Sequence, residues 1–503
     1  MSLPSPSIPT VAVIGAGFSG TIVAAHLLRA SVHAPVRVLL IDRSGRVGRG
    51  VAYGTTSARH VLNVPAGRMS AFAGDEDDFL RFAKGRDASV IGGSFVPRQL
   101  YGEYLADTLE RAEQFGISHG ARLEQLCADV VDVVDVDDLG DARPSDGILD
   151  DALSLDADQE RAQPGVRLRL SDGREVLADR VVVAHGNFIP ANPPVAGSEG
   201  FFESARYVRD PWAGNVLASL PDDAPILLVG TGLTMLDVAI ELGARTRTAP
   251  LIALSRRGLV PLPHRPHGAP PSYGHLPPGL IACEPTAVAY LRAIRRHVRT
   301  IARDGIDWRE VVASLRPVTP RLWETLSLDE RRRFLRHVRP YWDVHRHRVA
   351  PDLHARFEEL RRDGTLQLTA GRLLRLAECD NGVEVTWRPR GATNVASLTV
   401  GAVVNGTGPE GDVRSAAEPL LDALLSRRTV RSDALGLGLD VAPDGRLLRG
   451  DGSPNDRLWL ASPLLKGRYW EATAVPELRL HAARAARSLL ASLAPAPLAA
   501  IGD

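Results

Sequence analysis

Val11-Ala-Val-Ile14, running directly into Gly15-Ala-Gly-Phe-Ser-Gly20, is the stretch that decides the fold. Four apolar residues without alternation read as a short strand buried on both faces. A helix is predicted from about Thr21 to Ala30, then a second strand over 36–41 that ends in Asp42. Glycines at the G-x-G-x-x-G spacing, with an acid ~20 positions on, form the dinucleotide fingerprint. Gly15 permits the tight turn, Gly17 lets backbone approach a pyrophosphate, and Gly20 lets the helix pack on the strand. The unpaired N–H groups at the helix start favour phosphate, and Asp42 can accept hydrogen bonds from ribose hydroxyls.

The same grammar returns at Ile226-Leu-Leu-Val229 and Gly230-Thr-Gly-Leu-Thr-Met235, although Met235 takes the third small position. A helix over 237–243 and a strand over 251–254 follow, ending in Ser255-Arg-Arg-Gly258. A site for a free 2′-hydroxyl would carry Asp or Glu here. Ser255, Arg256 and Arg257 suit a 2′-phosphate instead, through charge-assisted forked bonds. The plainer alternative is a solvated arginine pair. Two units of this kind predict an α/β protein with two dinucleotide-binding domains, the second inserted into the first.

Composition narrows the function classes. A chain of 503 residues accommodates two or three cores. Sixty basic and sixty acidic residues leave zero net charge, so nothing points to nucleic acid or an anionic membrane. Lysine occurs only at 84 and 466. The three cysteines, Cys127, Cys283 and Cys379, are far apart, which argues against a thiol–disulfide reductase or a zinc ribbon. With no basic and apolar leader, a soluble cytoplasmic protein is expected. Homo-oligomerisation is left open.

Elsewhere the pattern is coarser. Residues 103–127 read as a helix, 130–136 as a strand, and 132–163 as an acidic loop-like insert. Val166–Leu170 and Glu175–Ala178 flank an Asp-Gly turn, and Val181–Asn187 is a buried strand opening at Gly186. Helical spacing of Val288, Leu291, Ile294, Val298 and Ile301 begins a helical segment, in which Ser327-Leu-Asp-Glu330 reads as a capping box. A β-rich stretch covers 366–404, and a long helix follows from about 476 to 493. The resulting division is 1–212 first domain, 213–280 second domain, 281–365 helical segment, and 366–503 a return to the first domain.

Gly15–Gly20, Gly48-Arg-Gly-Val-Ala-Tyr53, His60-Val-Leu-Asn-Val-Pro65 and Arg68-Met-Ser70 together resemble the bacterial FAD/NAD(P)-binding proteins of the nitrosuccinate-synthase type. Gly230–Met235, Ser255–Gly258, Trp342-Asp-Val-His-Arg-His-Arg348 and Trp470-Glu-Ala-Thr-Ala-Val-Pro-Glu477 carry the resemblance onward. The insert at 132–163 does not match. The resemblance implies a flavoprotein with a Rossmann-like FAD domain, an inserted NADPH domain and a helical segment. It implies oxidation of the amine of L-aspartate through to nitrosuccinate, using FAD, NADPH and O₂. Chemistry would then rest on the flavin C4a-hydroperoxide, with no catalytic side chain and no metal.

Expected cofactor contacts follow the motifs. For FAD they are Gly15, Gly17, Phe18, Ser19, Gly20, Asp42, Arg43, Arg49, Gly50, Asn63, Arg68, Met69, Ser70 and Gly186, with Trp470 and Glu471 covering the ring. For NADPH they are Gly230, Gly232, Leu233, Thr234, Ser255, Arg256 and Arg257. A dicarboxylate needs cationic forks, and Arg265, Arg346, Arg348 and Arg468 are the candidates; interdomain ion pairs are the alternative role for Arg346 and Arg348. His264-Arg-Pro-His267 and His345-Arg-His347 read as pocket hydrogen bonders in preference to metal ligands. A flavin reductase passing electrons onward and a non-catalytic flavin redox sensor stay open as rival readings.

Overall fold

A computed structural model describes residues 8–136, 165–266 and 274–493. Strand Thr10–Ile14 is buried throughout and takes parallel partners on both sides, Arg37–Asp42 and Arg180–Val183. Arg122–Cys127 extends the sheet on one side, Pro454–Leu460 on the other, and Arg446–Leu448 closes it antiparallel. Helix Phe18–Arg29 lies on this sheet under helices Arg98–Ile117 and Val475–Leu493, sharing one apolar core. A Cβ on Gly20 would overlap the Gly15 carbonyl oxygen, so glycine is required there for the helix to sit down. Gly15 has φ +102°, and a Cβ would meet the Ala184 carbonyl oxygen at 2.7 Å.

The second sheet is built around Ile226–Val229, which pairs in parallel with Leu251–Ser255 and Ala402–Asn405. Its turn lacks a third glycine, and Met235 is fully buried there. Close approach is supplied from across the sheet instead. Gly406 donates its N–H to Val229 at 2.8 Å, and a Cβ on Gly230, at φ +107°, would lie 2.5 Å from the Gly406 carbonyl oxygen.

Several expectations are corrected. Residues 122–127 are not the end of a helix: the helix stops at Ile117, Gly120 turns the chain at φ +79°, and an edge strand follows. The acidic stretch starts inside strand Val130–Asp135, where buried Asp132 pairs with Arg427. Residues 137–163 of that stretch lie outside the described residues. Strand Leu366–Cys379 does not return to the first sheet. Helix Pro351–Arg362 buries Phe357 and Leu360 on the second sheet and delivers the strand parallel to Leu251–Ser255. Two further strands, Gly382–Pro389 and Ala396–Val400, complete that edge. Tyr207–Val208 also belongs to the second sheet, so this unit begins before 213 and the first sheet is regained only at Arg446.

The intervening segment is helical, from Ala287–Ile301 to Arg339–Arg346. Its expected apolar stripe is only partly covered, with Val288 51% exposed. Ser327 caps its helix by accepting from the Glu330 N–H at 3.2 Å. The Glu330 carboxylate turns away to accept from the Ala287 N–H at 2.9 Å.

Candidate active site

A cavity of about 1470 Å³ runs between the two sheets and the helical segment. Ordinary small-ligand pockets occupy ~300–1,000 Å³, so this one has room for an extended ligand and a small second molecule. Its floor is the first glycine turn. Helix Phe18–Arg29 starts at Gly17 with no side-chain cap, leaving its first N–H groups without an internal partner and facing the cavity. Among the described residues, a Cβ on Gly17 would meet only the Gly50 Cα, at 3.8 Å. The space above it belongs to whatever the cavity holds. Asp42 is fixed beside the turn by accepting from the Ala16 N–H at 2.8 Å and from Ser44. These features fit a dinucleotide pyrophosphate and ribose.

The walls bring together most of the residues named from sequence. Gly15, Gly17, Phe18, Ser19, Asp42 and Arg43 line one end, and Arg49, Gly50, Asn63, Arg68, Met69 and Gly186 the middle. Arg43 is held by Glu418 at 2.7 Å and Asp129 at 3.5 Å. Burial alone would raise the Glu418 carboxyl, but hydrogen bonds from His185 and Arg43 outweigh it and bring its pKa down to about 2. Near the middle, His264 donates from Nε2 to the Asn63 carbonyl at 3.0 Å. Burial, reinforced by Arg348, lowers the His264 pKa to about 3, so the ring is neutral.

Three named residues stand elsewhere. Ser70 is fully buried behind the wall, its hydroxyl bonded to the Phe72 carbonyl and to that of Asp75. Trp470 does not cover the cavity. It is 3% exposed and stacked on Trp323 at 4.9 Å, inside the core joining the helical segment to the first domain. Glu471 is likewise withdrawn, 2.9 Å from the Trp342 Nε1 donor and 2.8 Å from Arg346.

The second glycine turn is only partly engaged. Leu233 lines the cavity, whereas Gly230, Gly232 and Thr234 do not. Helix Leu233–Gly243 starts at Gly232, again without a side-chain cap. Ser255 has its hydroxyl committed to Thr231 at 2.8 Å and to the Gly258 N–H at 3.0 Å. Arg257 rests over the Tyr341 ring. Arg256 is exposed, with no partner among the described residues. The helix is tied to the first domain by Asp237 with Arg98 at 2.6 Å, and by Glu241 with Ser57 at 2.5 Å.

At the far end the cavity is rich in arginine. Arg265, Arg346 and Arg348 line it, joined by Arg309 and Arg316, which sequence reasoning did not single out. Most are neutralised. Arg346 lies 2.8 Å from Glu471, near enough for an ion pair though not aligned as a hydrogen bond, and 3.7 Å from Glu477. Arg316 pairs with Glu477, Arg309 with Asp307 at 2.9 Å, and Arg265 with Glu310 at 2.5 Å. Arg348 differs. It is 9% exposed and has no hydrogen bond or ion pair among the described residues. Burial, then Arg346 and Arg309, lower its pKa to about 10, so it keeps its charge at neutral pH. Arg468 is not part of this wall; it binds the Val441 carbonyl at 3.1 Å and faces Glu324.

The only signal that could have found Arg309 and Glu310 is local. Asp307 caps their helix, accepting from the Arg309 N–H at 2.7 Å, and so aims its first turn at the cavity. Among the described residues no group of three His, Cys, Asp or Glu side chains could hold a metal. His345 bonds the Tyr341 carbonyl, and His267 lies outside the described residues. No helix among the described residues is long and apolar enough to cross a membrane.

Comparison with known proteins agrees with this architecture. Residues 12–149 match a family model described as FAD-NAD(P)-binding. An uncharacterized protein of Mycobacterium tuberculosis strain H37Rv is 23% identical, the match covering 99% of this chain and 98% of the relative. Among solved structures, L-lysine 6-monooxygenase from Pseudomonas syringae superposes with TM-score 0.63 at 16% identity, over 96% of this chain and 99% of that one. Ornithine hydroxylase from Pseudomonas aeruginosa gives 0.62 at 15%, over 97% and 100%. The FAD-bound cadaverine monooxygenase from Erwinia amylovora gives 0.62 at 14%, over 96% and 95%. The chain thus has the two-dinucleotide-domain α/β flavoprotein fold.

Proposed function

We propose that this chain is an FAD-dependent, NADPH- and O₂-consuming monooxygenase that hydroxylates the amine of a small acidic amino acid, with L-aspartate the best candidate. The observation that carries the reading is Arg348, a charged guanidinium buried in the wall of the cavity that would hold the flavin, with no hydrogen bond or ion pair among the described residues. Burying a carboxylate without a cation is very costly. A buried guanidinium lacking its own carboxylate is a receptor for one brought by the ligand. Lysine, ornithine and cadaverine, named for the structurally similar enzymes, carry a second cationic amine and no second carboxylate.

Gly15, Gly17 and the start of helix Phe18–Arg29 would hold the FAD pyrophosphate, Asp42 its ribose, and Asn63 and Met69 would flank its ring. Arg256 would take the 2′-phosphate of NADPH at the surface. When bound and reduced, FAD supplies the activated oxygen. The chain's own work is binding, orientation and exclusion of water. Arg348 fixes the acidic group, neutral His264 buttresses the Asn63 loop, and the Arg346–Glu471–Glu477–Arg316 ion pairs clamp the helical wall onto helix Val475–Leu493.

The test is NADPH oxidation by purified holoenzyme with L-aspartate, L-glutamate, L-ornithine and L-lysine, with hydrogen peroxide, nitrite and oxidised amine all measured. Coupled oxidation of aspartate is expected. Coupled oxidation of ornithine or lysine alone would refute the acidic substrate. Peroxide with every amine, and fast reduction of an artificial acceptor, would favour a reductase.

A further inference from the structure

We propose that Glu310 is the receptor for the substrate's amino group and takes its proton, so that the cavity reads a zwitterion, carboxylate on Arg348 and amine on Glu310. This rests on the reading of the substrate as a small acidic amino acid.

Glu310 stands in the first turn of helix Trp308–Leu315, is 5% exposed and lines the cavity. Its two oxygens are unequal. Oε1 is 2.5 Å from Arg265, whereas Oε2 is buried with no hydrogen-bond partner among the described residues. A buried acceptor left without a donor is costly, and more so when charged, so the site is built for a donor that the described residues do not supply. The last torsion of a glutamate is broad and roughly two-fold, so the carboxylate can turn toward the cavity.

Other acids at this end are already spent. Glu477 holds Arg316 and Arg346, Glu471 holds Arg346 and Trp342, and Asp307 holds Arg309 and the helix start. Arg348 lines the same cavity as Glu310, and its guanidinium lies 5.9 Å from the ring of Trp308, two residues before Glu310 on the same helix. In the cavity wall, Glu310 offers an incoming ammonium a carboxylate oxygen, and Arg348 offers an incoming carboxylate its guanidinium donors, neither hydrogen-bonded to another described residue. Oxygen transfer requires a nitrogen lone pair. The proton passes from the ammonium nitrogen to Glu310 Oε2, leaving a neutral amine and a neutral acid, with no other bond changed.

The experiment compares binding of L-aspartate and succinate, which has both carboxylates and no amine, to oxidised FAD-loaded protein by calorimetry. Glu310→Gln should weaken aspartate by roughly ten- to a hundredfold while leaving succinate within a few-fold of the parent. Coupled turnover in that variant should recover as pH rises and solvent deprotonates the amine. Glu310→Asp keeps the charge for Arg265, so its aspartate loss should be smaller; it also serves if the glutamine variant fails to fold. Equal affinity of parent and Glu310→Gln for aspartate would overturn the proposal. A parent that binds neither aspartate nor succinate but takes ornithine would overturn the acidic substrate alone, since the Glu310→Gln effect on ornithine would still decide the amine receptor.

Discussion

The chain folds the same strand–glycine–helix device twice and uses it in two ways. At the first, Gly15, Gly17, Phe18 and Ser19 all face an enclosed cavity. At the second, Leu233 alone of the named turn residues does so. The arginine after the second strand of each unit makes the contrast sharper. Arg43 is neutralised by Glu418 and Asp129, whereas Arg256 is exposed and unpartnered among the described residues. A ligand that stays needs enclosure and a preorganised wall. One that must enter and leave needs an open edge with its charge waiting. The difference between the units is therefore the expected difference between a resident flavin and a diffusible NADPH.

The largest effect should come from the enclosed unit. A Cβ on Gly17 meets only the Gly50 Cα, at 3.8 Å, among the described residues, so in Gly17→Val the fold should survive while noncovalent FAD is lost entirely. Flavin absorbance after gel filtration reads this, with circular dichroism as the control. Flavin content like the parent's would break the assignment of the first turn. Next comes the open unit. Arg256→Ala should weaken NADPH by ~1.5–3 kcal/mol, roughly one to two decades in Kd, with NADH unchanged. Arg257→Ala should do much less, because that side chain is engaged over Tyr341. Equal NADPH and NADH kinetics in parent and Arg256→Ala would make this arginine mere surface charge.

A smaller effect separates architecture from binding. Gly406 substitutes for the missing third glycine of the second turn, and a Cβ there would come within 3.2 Å of the Val229 carbonyl oxygen. Gly406→Val should therefore cost ~1–3 kcal/mol as overpacking, seen in urea unfolding, and slow flavin reduction by NADPH at unchanged FAD content. Loss of FAD in this variant would mean that the two units are not separable in this way.

How much of this was written in the sequence depends on the range of the interaction. Both turns, their strands and Asp42 were legible because the device is local, fixed by residues within one βαβ unit. Strand Leu366–Cys379 was assigned to the wrong sheet because a parallel partner is chosen by the crossover helix, and the burial of Phe357 and Leu360 leaves no periodic mark that names a sheet. Trp470, expected over the flavin ring, is drawn into the core by stacking on Trp323, a residue distant in sequence. Arg346 and Arg348 were named alike. Only contacts with residues distant in sequence show that one is a strut and the other open. The Asp307 cap could have drawn attention to the helix start that carries Glu310, but not to its role, which lies in an oxygen without a hydrogen bond among the described residues.

The smallest prediction returns to the neutralised arginine. The Glu418 pKa is held at about 2 against an ordinary 4.5, hydrogen bonds from His185 and Arg43 outweighing burial. A carboxylate whose folded pKa is depressed contributes stability that is fully present above its unfolded value and is lost as pH falls toward the folded one. Replacing it by Glu418→Gln removes that contribution at every pH. The variant should be less stable than the parent by about 1–2 kcal/mol at pH 6, below the full shift, because Arg43 is 52% exposed and water screens the pair. That gap should narrow steadily between pH 4.5 and 2, losing more than half by pH 3. Urea unfolding followed by tryptophan fluorescence at pH 6, 4.5 and 3 measures it. A gap that stays constant to pH 3 would mean that Glu418 acts by packing, and that Arg43 is no more neutralised than Arg256. Arg256→Ala is the matched control: with no carboxylate beside it among the described residues, its effect on stability should be near zero and show no trend over the same range.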